Sequence, residues 1–255
     1  MHDDLTMFAI RNGTDKFGYH DYTANYHSLF TRFRKRPIRL LEIGVGGYGQ
    51  VHRGGESLAT WRDYFPLARI VGLDIQKKIL DFGPRVRIVQ GSQVDPGFLA
   101  QVVDEEGPFD LIIDDGSHQN EHVIESFGLL FPTLAPGGIY VVEDTQTAFV
   151  PRRGGSPDLK QPNSIGFFAQ LLNRLLTGND GPDIVTVPAD GLSGIERFHN
   201  KVALHKSAPD GAEAPVSWLA EPAKTARDGL KHVLTLERIT FNLIQTERDP
   251  RQAIH

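Results

Sequence analysis

Residues 40–49 read LLEIGVGGYG, an apolar run that passes directly into a cluster of glycines. Gly44, Gly46 and Gly49 match the pattern G-x-G-x-x-G. Glycines at these positions allow a tight turn and let the backbone approach a bound ligand closely. The stretch therefore predicts a buried first strand that ends in a nucleotide-binding loop.

The glycine pattern alone leaves the identity of the nucleotide open. A dinucleotide loop leads directly into a helix and is followed about 20 residues later by a ribose-binding acid. Here residues 50–55 intervene before the next helix, and Asp74 lies 28 residues after Gly46. Glu42 would also repel a pyrophosphate, whereas it would attract a cationic sulfonium ligand. These features argue against NAD, and an NAD-binding oxidoreductase is kept as an alternative on the glycine pattern alone.

Apolar strands alternate with amphipathic helices on both sides of this loop. Strands are predicted at residues 38–43, 69–74, 86–89, 109–114 and 138–143, and helices near residues 24–33, 56–64, 96–103, 121–134 and 165–176. Residues 183–187 resemble a further strand, and residues 195–206 a late strand or hairpin. Such alternation is typical of βαβ units joined by right-handed crossovers. We expect an α/β fold with a doubly wound, mostly parallel, seven-stranded sheet and helices on both faces.

A single domain is predicted over residues 1–255. It begins with an N-terminal cap segment (residues 1–35), continues with the sheet-containing core (residues 36–206) and ends in a helical extension (residues 207–255). Residues 145–163 are rich in proline, glycine, arginine and serine, and are predicted to form a lid loop. The apolar residues of the extension are expected to pack on the core or on a second subunit, which makes a homodimer a further prediction.

The composition narrows the classes of function. A formal net charge of −5 gives no basic excess for binding nucleic acid. The absence of cysteine excludes disulfides, thiolate nucleophiles and cysteine-bound zinc. The N-terminus is acidic and lacks the apolar run of a signal peptide, and no window approaches the roughly 18 apolar residues of a membrane span. We therefore expect a cytoplasmic enzyme with no membrane span and no nucleic-acid partner.

Acidic residues follow two of the predicted strands. One strand ends in Asp114-Asp115-Gly116-Ser117-His118 and the next ends in Glu143-Asp144. Ligands in such sheets bind outside the carboxyl ends of the strands, where both acidic pairs should converge. Crowded carboxylates repel one another unless they share a cation, and oxygen ligands suit Mg²⁺, Mn²⁺ or Ca²⁺. His118 is a candidate general base beside this metal site, and Asp114 is expected to stay out of the metal shell as a strand-end or cofactor-side carboxylate.

Two motifs resemble known methyltransferases. The E-x-G-x-G run at residues 42–46 and the LAPGG run at residues 134–138 resemble class I S-adenosylmethionine-dependent methyltransferases, which have a Rossmann-like fold. The combination of Asp115, His118 and the acidic pair at residues 143–144 resembles metal-dependent sugar O-methyltransferases. That group includes the mycinamicin and macrocin types, the rhamnosyl enzymes and mycobacterial polysaccharide methyltransferases. The runs at residues 13–16, 54–58 and 91–96 are also similar to this group.

The resemblance implies a function and a set of site residues. The cofactors would be S-adenosyl-L-methionine and Mg²⁺, and the acceptor a hydroxyl of a sugar, glycoside or polysaccharide. Asp115, Glu143 and Asp144 would bind the metal, and His118 would be the catalytic base. The cofactor-binding residues would be Thr14, Lys16, Glu42, Gly44, Gly46, Ser57, Asp74, Ile75, Gln90, Ser92, Gln93 and Asp115. The resemblance runs from about Gly13 to Val150, and we expect the chain to lack the separate N-terminal domain of the macrolide enzymes.

Three other functions stay open at the level of sequence. A catechol-type phenolic O-methyltransferase would use the same metal chemistry, but the phenol enzymes resembled here have lysine where His118 stands. An NAD-binding oxidoreductase is suggested by the glycines alone. A non-catalytic nucleotide-binding subunit would use the helical extension as an interaction surface.

Overall fold

The computed structural model describes residues 2–157, 163–177 and 190–208. Its seven strands are β1 (Arg39–Ile43), β2 (Arg69–Asp74), β3 (Val86–Gln90), β4 (Leu111–Asp114), β5 (Ile139–Val142), β6 (Leu192–Phe198) and β7 (Lys201–Lys206). They form one sheet in the order β3-β2-β1-β4-β5-β7-β6. Strands β1 to β5 are parallel, β7 is antiparallel to β5, and β6 is antiparallel to β7. The predicted doubly wound, mostly parallel sheet is therefore confirmed.

Helices cover both faces of the sheet. The described helices are α1 (Asp4–Asn12), α2 (Thr23–Phe30), α3 (Glu56–Tyr64), α4 (Pro96–Glu106), α5 (Asn120–Leu130) and α6 (Ser164–Thr177). Side chains alternate between faces along a strand, so Leu41 and Ile43 of β1 pack with α4, α5 and α6. Leu40 instead packs on the opposite face with α1, α2 and α3. The two apolar clusters hold the strand ends at fixed positions.

Several element boundaries differ from the sequence-based predictions. Helix α1 was not predicted, although the Asp3 side chain caps its start and Gly13, in a left-handed conformation, ends it. Strand β5 ends at Val142, so Glu143 and Asp144 both follow the strand. The helix predicted to reach residue 134 ends at Leu130 and continues as a short 3-10 helix containing Pro132, which cannot donate a backbone hydrogen bond.

The late part of the chain is described only in pieces. The region predicted as a late strand or hairpin is a hairpin, made of β6 and β7. The described part of the predicted lid, up to residue 157, contains two 3-10 helices, Thr145–Phe149 and Pro151–Arg153. The predicted strand at residues 183–187 and the helical extension beyond residue 208 lie outside the described residues. None of the helices within the described ranges is long and apolar enough to cross a bilayer.

Candidate active site

The carboxyl ends of β1, β4 and β5 meet at one edge of the sheet. The amide of Asp115 donates to the carbonyl of Ile43 (2.9 Å), and the amide of Glu143 donates to the carbonyl of Asp114 (2.9 Å). These bonds extend the strand pairing by one residue on each side of β4. The glycine loop and both acidic segments therefore begin at the same level, in the crevice where ligands bind in such sheets.

Gly44 is the point of closest contact between the glycine loop and the acidic segment after β4. Its φ is +92°, and a Cβ placed there would lie 2.1 Å from the backbone oxygen of Asp115. The obstacle is backbone, so no side-chain rotation can relieve it. Any larger residue at this position must therefore displace either the loop or Asp115.

We expect Gly44→Ala to destabilise the fold by more than about 1 kcal/mol, because alanine is strained at positive φ and clashes with backbone. Urea unfolding would measure the loss. Gly49→Ala is the matched control, since Gly49 lies in the same loop and an added Cβ would meet nothing within 4 Å. Equal stability of the two variants would contradict the close approach of the loop to Asp115.

The residues predicted to bind the cofactor lie around the glycine loop in two groups. At the ends of β2 and β3, Asp74 accepts from the amides of Val45 (3.0 Å) and Gln76 (2.7 Å), and the Gln90 side chain donates to the carbonyl of Ile75 (3.3 Å). On the other side of the loop, Ser57 donates to Glu42 (2.8 Å). The second Glu42 oxygen has no hydrogen bond and lies 3.4 Å from Lys16 Nζ.

Gln93 and Asp114 brace the turn that carries His118. Gln93 donates to Asp114 (3.2 Å) and accepts from the amide of Ser117 (2.8 Å). Buried Asp114 also accepts from Ser126 Oγ (2.6 Å), so it is already satisfied away from the acidic cluster. Of the remaining predicted cofactor residues, Ser92 accepts from the amide of Val94 (3.3 Å) and Thr14 from the amide of Lys16 (3.4 Å).

Lys16 lies within the acidic cluster and neutralises part of its charge. Its Nζ is 2.8 Å from Asp115 Oδ2 and 2.8 and 2.9 Å from the two oxygens of Glu143. The side chain is buried. From the sequence, Lys16 was predicted to bind the cofactor, and that role stays a prediction. In the structure its ammonium group contacts carboxylates.

Asp115, His118 and Asp144 form a group able to hold a metal ion. One ligand atom from each lies within 4.8 Å of the others. His118 Nε2 is 3.9 Å from Asp115 Oδ1 and 3.7 Å from Asp144 Oδ2. Glu143, the third predicted metal ligand, is outside this group, and its carboxylate is bound by Lys16 and by the Tyr26 hydroxyl. The structure therefore divides the cluster into two parts. The open half consists of Asp115, His118 and Asp144, and the closed half is Glu143 with Lys16, which also contacts Asp115.

Two members of the open half have unusual backbone conformations. His118 has φ +54° and Asp144 has φ +51°. Residues other than glycine adopt this left-handed region rarely, and such strain collects at functional sites. In these conformations the two side chains face the same crevice, with His118 Nε2 3.7 Å from Asp144 Oδ2.

The acidic residues differ in how readily they lose a proton. Burial raises the pKa of Asp115 to about 7 against the opposing effect of Lys16. Burial and the charge of Asp115 raise the pKa of Glu143 to about 7, again opposed by Lys16. For Asp144, burial is outweighed by the Tyr22 hydrogen bond and the charge of His118, so its pKa is lowered. Asp144 is therefore the carboxylate most readily available to a cation.

Divalent metal binding is expected to tighten as the pH rises through about 7. Below that pH the raised pKa values keep protons on Asp115 and Glu143, and a metal must displace them. Calorimetric titration with Mn²⁺ at about pH 6 and about pH 8, in buffers of different ionisation enthalpy, would show tighter binding at the higher pH and proton release. Equal affinity without proton release would contradict the raised pKa values.

Four residues near the cluster were missed in the sequence. Tyr22 donates to Asp144 Oδ1 (2.8 Å), and Tyr26 donates to Glu143. The His20 ring stacks on Tyr22 and its Nδ1 is 3.8 Å from Asp144 Oδ1. Lys201 lies against both tyrosine rings. The aromatic residues of the cap segment at residues 19–26 were the available signal, but nothing local marks which strand end they reach.

The first part of the predicted lid is tied to the turn that carries His118. Arg153 donates to the carbonyl of Ser117 (2.9 Å). The buried Asn120 side chain donates to the carbonyls of Thr147 (3.2 Å) and Arg153 (3.0 Å) and accepts from the amide of Ser164. His122 contacts Ser117 Oγ (2.9 Å), so it supports this turn from the helix.

Comparisons with known proteins agree on a methyltransferase domain. A family model described as a methyltransferase domain matches residues 41–145. The 8-demethyl-8-alpha-L-rhamnosyl tetracenomycin-C 2'-O-methyltransferase of Streptomyces olivaceus is 40% identical over 220 residues, covering 85% of this chain and 58% of that enzyme. The mycinamicin VI 2''-O-methyltransferase of Micromonospora griseorubida is 38% identical over 222 residues, covering 85% and 55%. The chain thus spans little more than half the length of these relatives.

A solved structure gives the same result for the fold. It is MycE, a methyltransferase of the mycinamycin biosynthetic pathway, in complex with Mg, SAH and mycinamycin VI. The match covers 86% of this chain and 57% of that one, with a TM-score of 0.73 and 37% sequence identity. The predicted Rossmann-like methyltransferase fold is therefore confirmed.

Proposed function

Because this chain carries a methyltransferase domain similar in sequence and fold to sugar O-methyltransferases, we propose that it methylates a hydroxyl of a sugar, glycoside or polysaccharide. S-adenosylmethionine is the proposed methyl donor and Mg²⁺ the proposed metal, for which Mn²⁺ or Ca²⁺ could substitute. The observation that supports this most strongly is the convergence of Asp115, His118 and Asp144 beside the glycine loop. That arrangement combines metal-binding oxygens with a base at the edge of the sheet where a nucleotide cofactor binds.

The donor set fits a divalent cation. Glu42, Asp115 and Glu143 all lie within 3.4 Å of the ammonium group of Lys16, and Asp144 adds a further carboxylate beside His118. Ionisation of these carboxylates leaves an excess of negative charge that a divalent ion would offset. Asp115, Asp144 and Glu143 are the proposed ligands, and use of Glu143 requires that Lys16 release at least one of its oxygens.

His118 is the proposed general base. Bound Mg²⁺ would act as a Lewis acid that makes a coordinated hydroxyl easier to deprotonate. His118 accepts the proton of the acceptor hydroxyl, and Asp115 and Asp144, each within 4 Å of Nε2, stabilise the resulting imidazolium. The acceptor oxygen then bonds to the methyl carbon as the carbon–sulfur bond breaks, and the electron pair stays on sulfur. The cofactor supplies the methyl group on a positively charged sulfur, so no covalent enzyme intermediate is needed.

The cofactor is proposed to lie along the ends of β1, β2 and β3. Gly44 and Gly46 would allow close approach of the backbone, and Asp74 would accept from the ribose hydroxyls. Ile75, Gln90, Ser92 and Gln93 would surround the base, and Glu42 with Ser57 and Asp115 would face the sulfonium end. The buried Glu42 oxygen that faces Lys16 at 3.4 Å supports this placement, because it has no hydrogen bond and the ammonium group of a cationic ligand would supply one. Thr14 and Lys16 would close this end from the cap segment.

The other functions are less well supported. A catechol-type enzyme would share the metal chemistry, but the relative from Streptomyces olivaceus reported above acts, by its name, on a rhamnosyl compound. An NAD-binding oxidoreductase and a non-catalytic subunit would leave the acidic cluster without a use. Titration calorimetry with S-adenosylmethionine and with NAD separates these functions: binding of NAD alone would exclude a methyltransferase.

The acceptor class is tested by a screen with isotopically labelled S-adenosylmethionine. Free monosaccharides, rhamnosides and other glycosides, oligosaccharides and catechols would be compared at saturating Mg²⁺. We expect label in at least one glycoside or oligosaccharide and little in catechols. Transfer to catechols alone would contradict a sugar acceptor while leaving methyl transfer intact.

We also propose a cytoplasmic location and a homodimer. The absence of cysteine is compatible with a reducing compartment. The sequence of the C-terminal extension contains apolar residues that we predict to pack on the core or on a second subunit, and sedimentation of the intact chain would measure the assembly.

A further inference from the structure

Lys201 is a buried lysine to which the mechanism above gives no role. It begins β7, and its side chain is fully buried. Its Nζ lies 3.7 Å from the centre of the Tyr22 ring and 4.7 Å from that of Tyr26. The same atom donates to the carbonyl of Tyr22 (3.3 Å) and to Asn25 Oδ1 (3.4 Å). Within the described ranges no carboxylate forms an ion pair with it, and burial lowers the pKa of its ammonium group to about 7 against the opposing charge of Glu143.

The two tyrosines below Lys201 each bind a different carboxylate of the acidic pair. Tyr22 precedes α2 and donates to Asp144 Oδ1 (2.8 Å). Tyr26, one helical turn later, donates to Glu143. Residues four apart lie on the same helix face, so both rings present one surface to the ammonium group. When it is protonated, the one ammonium group of Lys201 thus contacts both donors that orient Glu143 and Asp144.

Strand pairing brings Lys201 to this position. Val202 of β7 is paired with Val142 of β5, the residue before Glu143. The amide of Thr145 donates to the carbonyl of Asn200 (3.1 Å), which extends the pairing past the acidic pair. The start of β7 is therefore fixed beside the residues whose carboxylates the tyrosines hold.

The contact has two physical consequences. A cation on an aromatic face is attracted by the ring quadrupole, and this attraction is stronger when the pair is removed from water. The cation also withdraws electron density from the phenol, which makes its hydroxyl a stronger donor to an ionised acceptor. Both effects hold Glu143 and Asp144 in one geometry, as hydrogen-bonded outer partners do for metal ligands.

We infer that Lys201 is a positioning residue for the metal site, acting through Tyr22 and Tyr26 on the Glu143–Asp144 pair. The inference rests on the proposed metal-dependent function. Lys206 is a second lysine on the same strand, and its contacts are with residues 131 and 132, away from the acidic pair. It donates to the carbonyl of Phe131 (3.3 Å) and to that of Pro132, and its ammonium lies 5.9 Å from the Phe131 ring.

The test is the affinity of the full chain for Mn²⁺ alone, measured by titration calorimetry. Lys201→Met removes the charge at similar side-chain length, and Lys201→Gln removes it while retaining a donor to Tyr22 and Asn25. We expect both to weaken Mn²⁺ binding by about 10-fold or more, in the range typical of outer partners of metal ligands. Lys206→Met is the matched control and should bind Mn²⁺ as the wild type does. Lys201→Arg should retain more affinity than Lys201→Gln.

A second measurement separates positioning from packing. In the Tyr22→Phe/Tyr26→Phe double variant, both hydroxyls are absent, so adding Lys201→Gln should cause little further loss of Mn²⁺ affinity. Fully additive losses, or wild-type affinity in a folded Lys201→Gln chain, would overturn the inference while leaving the proposed function intact. Absence of Mn²⁺ binding to the wild-type chain would contradict the proposed function and this inference with it.

Discussion

Asp115→Asn is expected to remove metal-dependent methyl transfer while leaving the chain folded. Asp115 is the one carboxylate that contacts Lys16 in the closed half of the cluster and also belongs to the open group with His118 and Asp144. Asparagine keeps the shape of the aspartate side chain but removes its negative charge. Loss of outer partners of metal ligands costs about 10–100-fold in affinity or activity, so loss of a ligand should cost about 100-fold or more.

The same substitution is expected to stabilise the metal-free protein at alkaline pH. Burial raises the pKa of Asp115 to about 7, above the ordinary value of a carboxyl group. Its favourable contribution to folding is therefore present at acid pH and is lost as the pH rises through about 7. At about pH 8 the ionised carboxylate opposes folding, and asparagine removes that penalty.

Two measurements check this pair of effects. Thermal unfolding of the metal-free chain at about pH 8 should show an equal or higher midpoint for Asp115→Asn than for the wild type. Mn²⁺ titration should show greatly weakened binding. Asp110→Asn is the matched control because Asp110 lies at the opposite end of β4, away from the acidic cluster. Its side chain accepts a hydrogen bond from the backbone amide of Arg39 (2.9 Å), which an asparagine oxygen can also accept. Normal metal affinity in a folded Asp115→Asn chain would refute its role as a ligand.

His118→Asn is expected to lower kcat by about 100- to 10,000-fold, the usual contribution of a positioned general base. Asparagine is chosen because it tolerates the positive φ of this position, whereas alanine would add backbone strain. KM for the acceptor should change little, since binding of the hydroxyl does not depend on its deprotonation.

Metal affinity then distinguishes the two roles open to His118. If His118 is a general base, its replacement should leave the affinity for Mn²⁺ nearly unchanged. If His118 is a metal ligand, its replacement should weaken Mn²⁺ binding. His199→Asn is the control, since His199 is exposed and its ring contacts the Asn200 side chain rather than the carboxylates. Loss of Mn²⁺ affinity in His118→Asn would reassign His118 from base to ligand. Undiminished kcat would remove it from the mechanism.

The sheet and the acidic cluster were predictable because their signals are local. Buried parallel strands are continuous apolar runs, and the acids follow two of them directly. Helix α1 had end signals in Asp3 and Gly13, but its short apolar pattern was too weak to predict a helix. The segment predicted as a lid loop contains two 3-10 helices in its described part, and its sequence has no periodicity from which these turns could be predicted.

The contacts that divide the cluster were not predictable in the same way. Lys16 lies 99 residues from Asp115 and 127 from Glu143. Tyr22 and Tyr26, brought in by the packing of α2, bind the acidic pair across 122 and 117 residues. Lys201 reaches Tyr22 across 179 residues through the antiparallel pairing of β7. No spacing rule connects such positions, because the sheet order and not the sequence brings them together.

Metal dependence of methyl transfer is the most direct test of the proposed chemistry. The full chain, freed of metal with EDTA, would be supplied with labelled S-adenosylmethionine and a glycoside acceptor identified in the screen. We predict no transfer above background until Mg²⁺ is restored, and full recovery afterwards. Undiminished transfer in EDTA would contradict the assignment of Asp115, Glu143 and Asp144 to a metal site, and with it the use of a metal to activate the hydroxyl for His118.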